Sequence, residues 1–303
     1  MKQGKLMSIK ERVNMNERVA QAIFETPGCF RSIAQIPAIM VCRELTPYYI
    51  DVRSSYSFPK QRDVIAEESV YTVSNNINEK IDKFVTTESA GIPICSIIAD
   101  RMGIGMCWVK KEAKGYGLGK QIEGVLEKGE HAVGEDDLAT EATTAVKAIK
   151  QVRNAEAIIK DYFVVHDRNQ GATKALGDLN VRLHWLSQTT PRFMEMGFEN
   201  ERITEQDYPI LIQYSKSPKE WSRNFVRENP AYLRDKLANV VKEGKVTDMA
   251  PLEVLTVAHP DLKDEFEPNV QKWLAELGVK HDVPEFDYKI DTAHLGGGAQ
   301  VIG

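Results

Sequence analysis

The chain has 303 residues, 42% hydrophobic and 27% charged, with a formal net charge of -5. That balance suits a folded protein with a buried core, large enough for one domain or a catalytic domain with an addition, and it argues against a broad nucleic-acid surface. Cys29, Cys42, Cys95 and Cys107 form no Cys-x-x-Cys pair and read as small buried hydrophobes, while the lack of a long apolar run or a basic-then-apolar start leaves membrane insertion unexpected and a cytoplasmic location expected.

In chain order, a helix is expected over about residues 12–24, ended by Pro27-Gly28. Pro37 and Pro47 then interrupt the chain, so residues 1–45 read as an extension that wraps a core. Tyr48 to Val52 is β-prone, a loop with Phe58-Pro59 follows, and helical spacing runs from Val64 towards Ile81. Between Asp82 and Arg168, strands are expected at 83–86, 106–109, 131–134 and 162–167, with helices at 94–102 and 143–152. This alternation implies right-handed parallel crossovers, hence an α/β fold: a parallel sheet with helices on both faces and ligand sites beyond the C-terminal strand ends. After about Gly177 the composition turns helical and polar around Trp185, Trp221 and Trp273, with helical stretches at 208–214, 221–225, 232–241 and 270–277. The expected division is an N-terminal extension at 1–45, an α/β domain at 46–177 and a helical C-terminal extension at 178–303 with a mobile glycine tail.

Four segments carry candidate chemistry. Glu135-Asp136-Asp137-Leu-Ala-Thr140-Glu141-Ala142-Thr143-Thr144 joins a strand to a helix. Backbone amides of such a turn can surround a phosphate, its Thr hydroxyls add donors, and the carboxylates can accept from sugar hydroxyls or meet a Mg²⁺ ion through water. The bland alternative is an acidic helix N-terminus that complements the dipole. Lys110 to Lys120 mixes lysines and glycines, suiting either a mobile cover for a pyrophosphate leaving group or a generic solvated loop. It matches neither the Walker A pattern nor the dinucleotide fingerprint. Thr87-Glu88-Ser89-Ala90-Gly91-Ile92-Pro93 reads as a turn whose amides can meet phosphate, or only as a tight strand-to-helix connection. Arg168 can hold a planar carboxylate bidentately, or pair at the surface with Asp167. The histidines form no zinc pattern, and no Gly-x-Ser-x-Gly elbow is present.

Taken together, Thr46 to Arg53, Ala90 to Pro93, Lys110 to Gly124, Asp136 to Thr144 and Asp167-Arg168 resemble, in content and order, the orotate phosphoribosyltransferases. The resemblance spans roughly residues 40–190. It implies a type I phosphoribosyltransferase core with a hood, a homodimer, Mg²⁺ as cofactor, and phosphoribosyl pyrophosphate and orotate as substrates. By position it implies that Asp136 and Asp137 hold the ribose hydroxyls and that Thr140, Thr143 and Thr144 bind the phosphate. Ala90 and Gly91 would then bind the pyrophosphate side. Lys111 and Lys114 are the catalytic lysines acting in the partner subunit's site, Lys110 a substrate-binding cation, and Arg168 the orotate contact. Ala142 and Tyr116 stand where the family has glycine and histidine, Glu141 adds a charge beside the expected phosphate, and Arg43-Glu44-Leu45 departs from a small, glycine-containing approach. Two alternatives stay open: a weakened or inactive member with a role in regulation or in protein assembly through the C-terminal extension, and transfer to a different nitrogenous base.

Overall fold

The computed structural model describes residues 9–110, 121–243 and 250–278, with side chains from residue 17 onward. Helix α1 (Ile9–Glu25) buries Val19, Ala22, Ile23 and Phe24. Four short strands follow: β1 (Phe30–Ser32), β2 (Ala38–Ile39), β3 (Leu45–Thr46) and β4 (Tyr48–Ile50). The β-prone segment thus stops at Ile50, because Val52 opens a 3-10 turn over Val52–Ser57 whose start is capped by the Asp51 carboxylate. Helix α2 (Pro59–Asn76) starts five residues earlier than expected, with Pro59 in the first turn, where its missing N–H costs nothing.

The central sheet contains β5 (Lys83–Thr87), β6 (Gly105–Val109), β7 (Ile122–Glu123), β8 (His131–Ala139), β9 (Ile158–Asp167) and β10 (Arg182–Gln188). Its order is β10-β9-β8-β5-β6-β7, and every pairing is parallel except β6 with β7. Helices α3 (Ile92–Met102), α4 (Thr143–Asn154) and α5 (Ala172–Gly177) make the crossovers. Val85, Cys107, Ala132 and Val164 pack with Ala145, Ile149 and Val152 of α4. Phe84, Phe163 and Val165 alternate to the opposite face, where α2 and α3 meet the strands. The chain leaves β5 in one direction and β8 in the other, so the switch point of the topology lies between the ends of these two strands.

Two expectations need correction. Strand β8 does not end at the acidic group but runs through it to Ala139, because parallel pairing with β9 continues as far as Ala139↔Asp167. The region after Gly177 is not wholly helical: Arg182–Gln188 pairs with β9 as the edge strand of the sheet, and α6 (Pro191–Glu199) follows under a Thr190 cap.

The described residues form two compact units, one of residues 9–31 with 50–208 and one of residues 32–49 with 209–278. The second unit is helical, with α7 (Tyr208–Lys216), α8 (Pro218–Glu228), α9 (Pro230–Lys242), α10 (Ala250–Glu253) and α11 (Lys263–Glu276). These helices take in the β2–β3 hairpin. Ser222 Oγ accepts from Leu45 N at 2.9 Å and lies 2.8 Å from His259 Nε2, and Tyr232 donates to Pro37 O at 2.5 Å. Tyr48, Tyr214, Trp221, Phe225 and Tyr232 form a run of ring contacts through its core.

Candidate active site

Strand β8 delivers three consecutive acids to the switch point, all of them buried: Glu135 at 0%, Asp136 at 9% and Asp137 at 8% exposure. Asp136 is held on both sides. Thr87, the last residue of β5, donates its hydroxyl to Asp136 Oδ2 at 2.8 Å, and Asp137 N donates to Oδ1 at 3.0 Å. Burial pushes the Asp136 carboxyl above the usual carboxylate range, and the Thr87 hydrogen bond works against that rise. Asp137 is pushed further up, by burial first and by the Asp136 charge second, with the Arg53 guanidinium pulling the other way. Glu135 is raised too, by burial and then by its two acidic neighbours; the Thr86 hydroxyl is near enough to oppose that rise, but no hydrogen bond of sound geometry reaches either carboxylate oxygen among the described residues. The hydroxyls of Tyr56 and Thr86 are likewise buried and unpartnered among the described residues.

The turn after β5 closes directly over this strand. A Cβ on Gly91 would lie 2.2 Å from Thr86 Oγ1 and 3.0 Å from Asp136 Oδ1, so only glycine lets the backbone come this near. Gly91 is buried and Ala90 half-buried beside it. The turn after β8 leads into α4. Thr140 and Thr144 are half-buried, Thr143 and Glu141 exposed, and no side chain caps the helix start. Its first amides therefore remain available to an anion. Ala142 sits at the cap with φ 58° and ψ 23°, a left-handed conformation in which a Cβ is strained.

Strand β9 ends beside these elements. Arg168, 1% exposed, donates its backbone N–H to Ala139 O at 2.8 Å and its Nε to Gln170 Oε1 at 3.3 Å. It is thus a buried residue, not a surface partner of Asp167. Asp167 accepts instead from Gln188 Nε2 at 2.8 Å and from Asn169 N at 3.0 Å. Lys110 stands at the neck of the β6–β7 ribbon. Its amide donates to Gln121 O at 2.9 Å and its ammonium meets Glu123 Oε1 at 2.8 Å. Lys111, Lys114 and Tyr116 lie outside the described residues. The structure therefore gathers Ala90, Gly91, Asp136, Asp137, Thr140, Thr143, Thr144 and Arg168 at the C-terminal edge of one sheet, with Lys110 on β6's continuation. Sequence reasoning missed Thr87 as a partner of Asp136 and His166 as a buried hub. No local signal pointed to the first, a contact between residues 49 apart.

No family model matches this chain. An orotate phosphoribosyltransferase of a Ruegeria species is 30% identical over 183 residues, covering 58% of this chain and 79% of the relative. The chain belongs to the orotate phosphoribosyltransferase family. A family member from Caenorhabditis elegans is 29% identical over 217 residues, covering 69% of this chain and 94% of its own length. Among solved structures, the UMP synthase of Leishmania donovani superposes with a TM-score of 0.57 at 24% identity, over 65% of this chain and 41% of that one. The orotate phosphoribosyltransferase of Aeropyrum pernix gives 0.52 at 20% identity, over 59% of this chain and 98% of its own. Both likenesses concern the fold: an α/β core of the type I phosphoribosyltransferase kind, extended by C-terminal helices.

Proposed function

We propose that the protein transfers a phosphoribosyl group from phosphoribosyl pyrophosphate to orotate, releasing pyrophosphate and orotidine monophosphate. The carrying observation is the closure of the Gly91 turn onto Asp136 at the switch point, beside an uncapped helix start. Backbone amides on both sides of a pair of acids support a reading in which phosphates bind there. In this reading Asp136 and Asp137 receive the ribose hydroxyls, and the turn and hydroxyls of Thr140, Thr143 and Thr144 receive the 5-phosphate. Ala90 and Gly91 give their amides to the pyrophosphate. Arg168 faces the orotate carboxylate, with Gln170 on its Nε to set the plane of the guanidinium.

Magnesium fits this donor set in one mode only. Among the described residues no three His, Cys, Asp or Glu side chains gather around a single point. Mg²⁺ commonly takes one or two carboxylates and fills its other positions with water and substrate phosphates. Asp137 with Asp136 would hold such an ion, which supplies charge neutralisation at the diphosphate. The chain's own residues align the acceptor nitrogen with the anomeric carbon, and Lys111 and Lys114 neutralise the departing pyrophosphate. We further propose a homodimer in which these lysines serve the partner's site, a cytoplasmic location, and Lys110 as a substrate-side cation released from Glu123 when the anion arrives. Among the described residues no helix is long and apolar enough to cross a membrane.

An assay of orotate consumption with phosphoribosyl pyrophosphate and Mg²⁺ tests the reading, with Lys111→Ala as control. Product formed by the wild type and lost in the control is expected. Reaction with another base but not orotate would retain the chemistry and remove the Arg168 assignment. Binding without turnover would favour the second reading, a weakened member acting in assembly, which the left-handed Ala142 and the helical second unit support. Light scattering that finds only monomer at micromolar concentration would end the shared-site assignment of Lys111 and Lys114.

A further inference from the structure

Asp136 is the residue on which the two halves of the site meet, and one side chain ties them together. Thr87 ends β5, 6% exposed, and its neighbour Thr86 lies in register with Glu135 of β8. From there its hydroxyl reaches across the switch point to Asp136 Oδ2 at 2.8 Å. The other oxygen is engaged by Asp137 N, so both carboxylate oxygens are held. Thr87 is also the residue from which the 88–91 turn departs, and that turn returns to Asp136 through Gly91. One threonine therefore fixes both where the turn starts and where the acid points.

We propose that Thr87 is a positioning residue whose hydroxyl locks Asp136 against the 88–91 turn, so that the ribose hydroxyls and the pyrophosphate of one substrate are held at a fixed spacing. The assignment deepens the proposed transferase reading and rests on it. A hydrogen bond to a buried carboxylate restricts its rotamer, and a misplaced acid loses the hydroxyl contacts that orient the sugar. The effect is expected on phosphoribosyl pyrophosphate rather than orotate, because the bond Thr87 makes is to Asp136, the acid given to the ribose.

The test uses the full chain, with Thr87→Val to remove the hydroxyl at equal shape and Thr87→Ser to restore it. For phosphoribosyl pyrophosphate, Thr87→Val is expected to lower kcat/KM, and affinity by titration calorimetry, by about tenfold or more. Thr87→Ser should return to within about twofold, and the KM for orotate should stay unchanged. In an Asp136→Asn background the Val substitution should add less than about twofold, since the two residues act as one unit. If Thr87→Val is too unstable to purify, Thr87→Ala replaces it in the same cycle. Unchanged affinity in Thr87→Val, failure of Thr87→Ser to rescue, an equal rise in orotate KM, or full additivity with Asp136→Asn each overturns the assignment while leaving the transferase reading intact. Wild-type protein that neither binds nor turns over phosphoribosyl pyrophosphate overturns both.

Discussion

Strands β8 and β9 run side by side and each brings three consecutive polar residues, almost fully buried, to the same edge of the sheet. Their treatment differs. On β9, His166 lies 2.8 Å from Ser187 Oγ through Nδ1 and 3.0 Å from Thr189 Oγ1 through Nε2, with the Phe193 ring against it. Asp167 has two donors and Arg168 has Gln170. On β8, no hydrogen bond of sound geometry reaches the Glu135 carboxylate among the described residues, and burial, then the Asp136 charge, push the Asp137 carboxyl up. A buried polar group with its bonds made can serve as scaffold, whereas acids crowded together away from water cost stability that a ligand can return. The contrast is clearest between His166 and Glu135; Asp136 and Arg168, each already bonded, are the residues that the proposed reading gives to ligands.

The largest expected break in that comparison is at the acids. Asp136→Asn with Asp137→Asn should weaken phosphoribosyl pyrophosphate binding by about a thousandfold, on the order of 4 kcal/mol, through loss of two charge-assisted contacts. The melting temperature should hold or rise, since neutral amides are cheaper to bury than carboxylates. Titration calorimetry beside thermal melts decides it, and a collapsed fold with intact affinity per folded molecule would reverse the assignment.

The converse is expected on β9. His166→Ala should cost about 3 kcal/mol at neutral pH, by leaving a cavity and unpairing Ser187 and Thr189, while affinity of the folded protein holds. Burial lowers the His166 pKa to about 3 from the ordinary 6.5. The unfolded chain therefore binds a proton below about pH 6.5 that the folded one refuses, and stability falls with falling pH across that window. The variant lacks this slope, so the gap between it and wild type should narrow by about 2 kcal/mol from pH 7.5 to pH 5 in denaturant titrations. A constant gap would show that the imidazole is not held neutral.

Glu135→Gln is expected to stabilise by about 1–2 kcal/mol at pH 7.5, because the buried carboxyl is raised and prefers its proton. Above the unfolded carboxylate pKa, folding takes up a proton, so wild-type stability declines as pH rises until the folded pKa is passed. Glutamine removes that decline. Urea titrations in which the variant's advantage shrinks toward pH 4.5 bear this out; an advantage that grows on acidification contradicts it. The smallest effect belongs to Ala142→Gly. Relief of the left-handed strain, offset by glycine's larger unfolded entropy, should give about 0.5–1 kcal/mol, read as a small rise in melting temperature. A loss of stability there would show that the alanine methyl, 8% exposed in the α4 core, contributes more by packing than it costs in strain.

Much of this architecture is legible in the sequence because short apolar runs and amphipathic stretches alternate strictly between Lys83 and Asp167. The miss at β8 has a physical cause. Glu135-Asp136-Asp137 has poor strand propensity and charge, so only pairing with β9 keeps it extended. Arg182–Gln188 escaped because an edge strand with Arg, His, Ser and Gln among its seven residues has too few apolar positions to show a period of two. The left-handed conformation at Ala142 was legible only as a condition that the resemblance carried, since the family has glycine at that position, but the Thr87–Asp136 bond was not: a contact between residues 49 apart has no local signature.

The Ser222–Leu45 bond spans 177 positions of the chain, and this separation sets a timetable for synthesis. Residues 32–49 leave the ribosome long before the helices that take in their hairpin exist. At ordinary elongation rates the hairpin waits roughly 10 to 35 s for Ser222 to be made. During that interval the amide of Leu45, the carbonyl of Pro37 and the ring of Tyr48 are without the partners they have in the finished unit. A chain stopped before residue 209 never acquires them, so the helical region is a part on which the beginning of the protein depends rather than a detachable end.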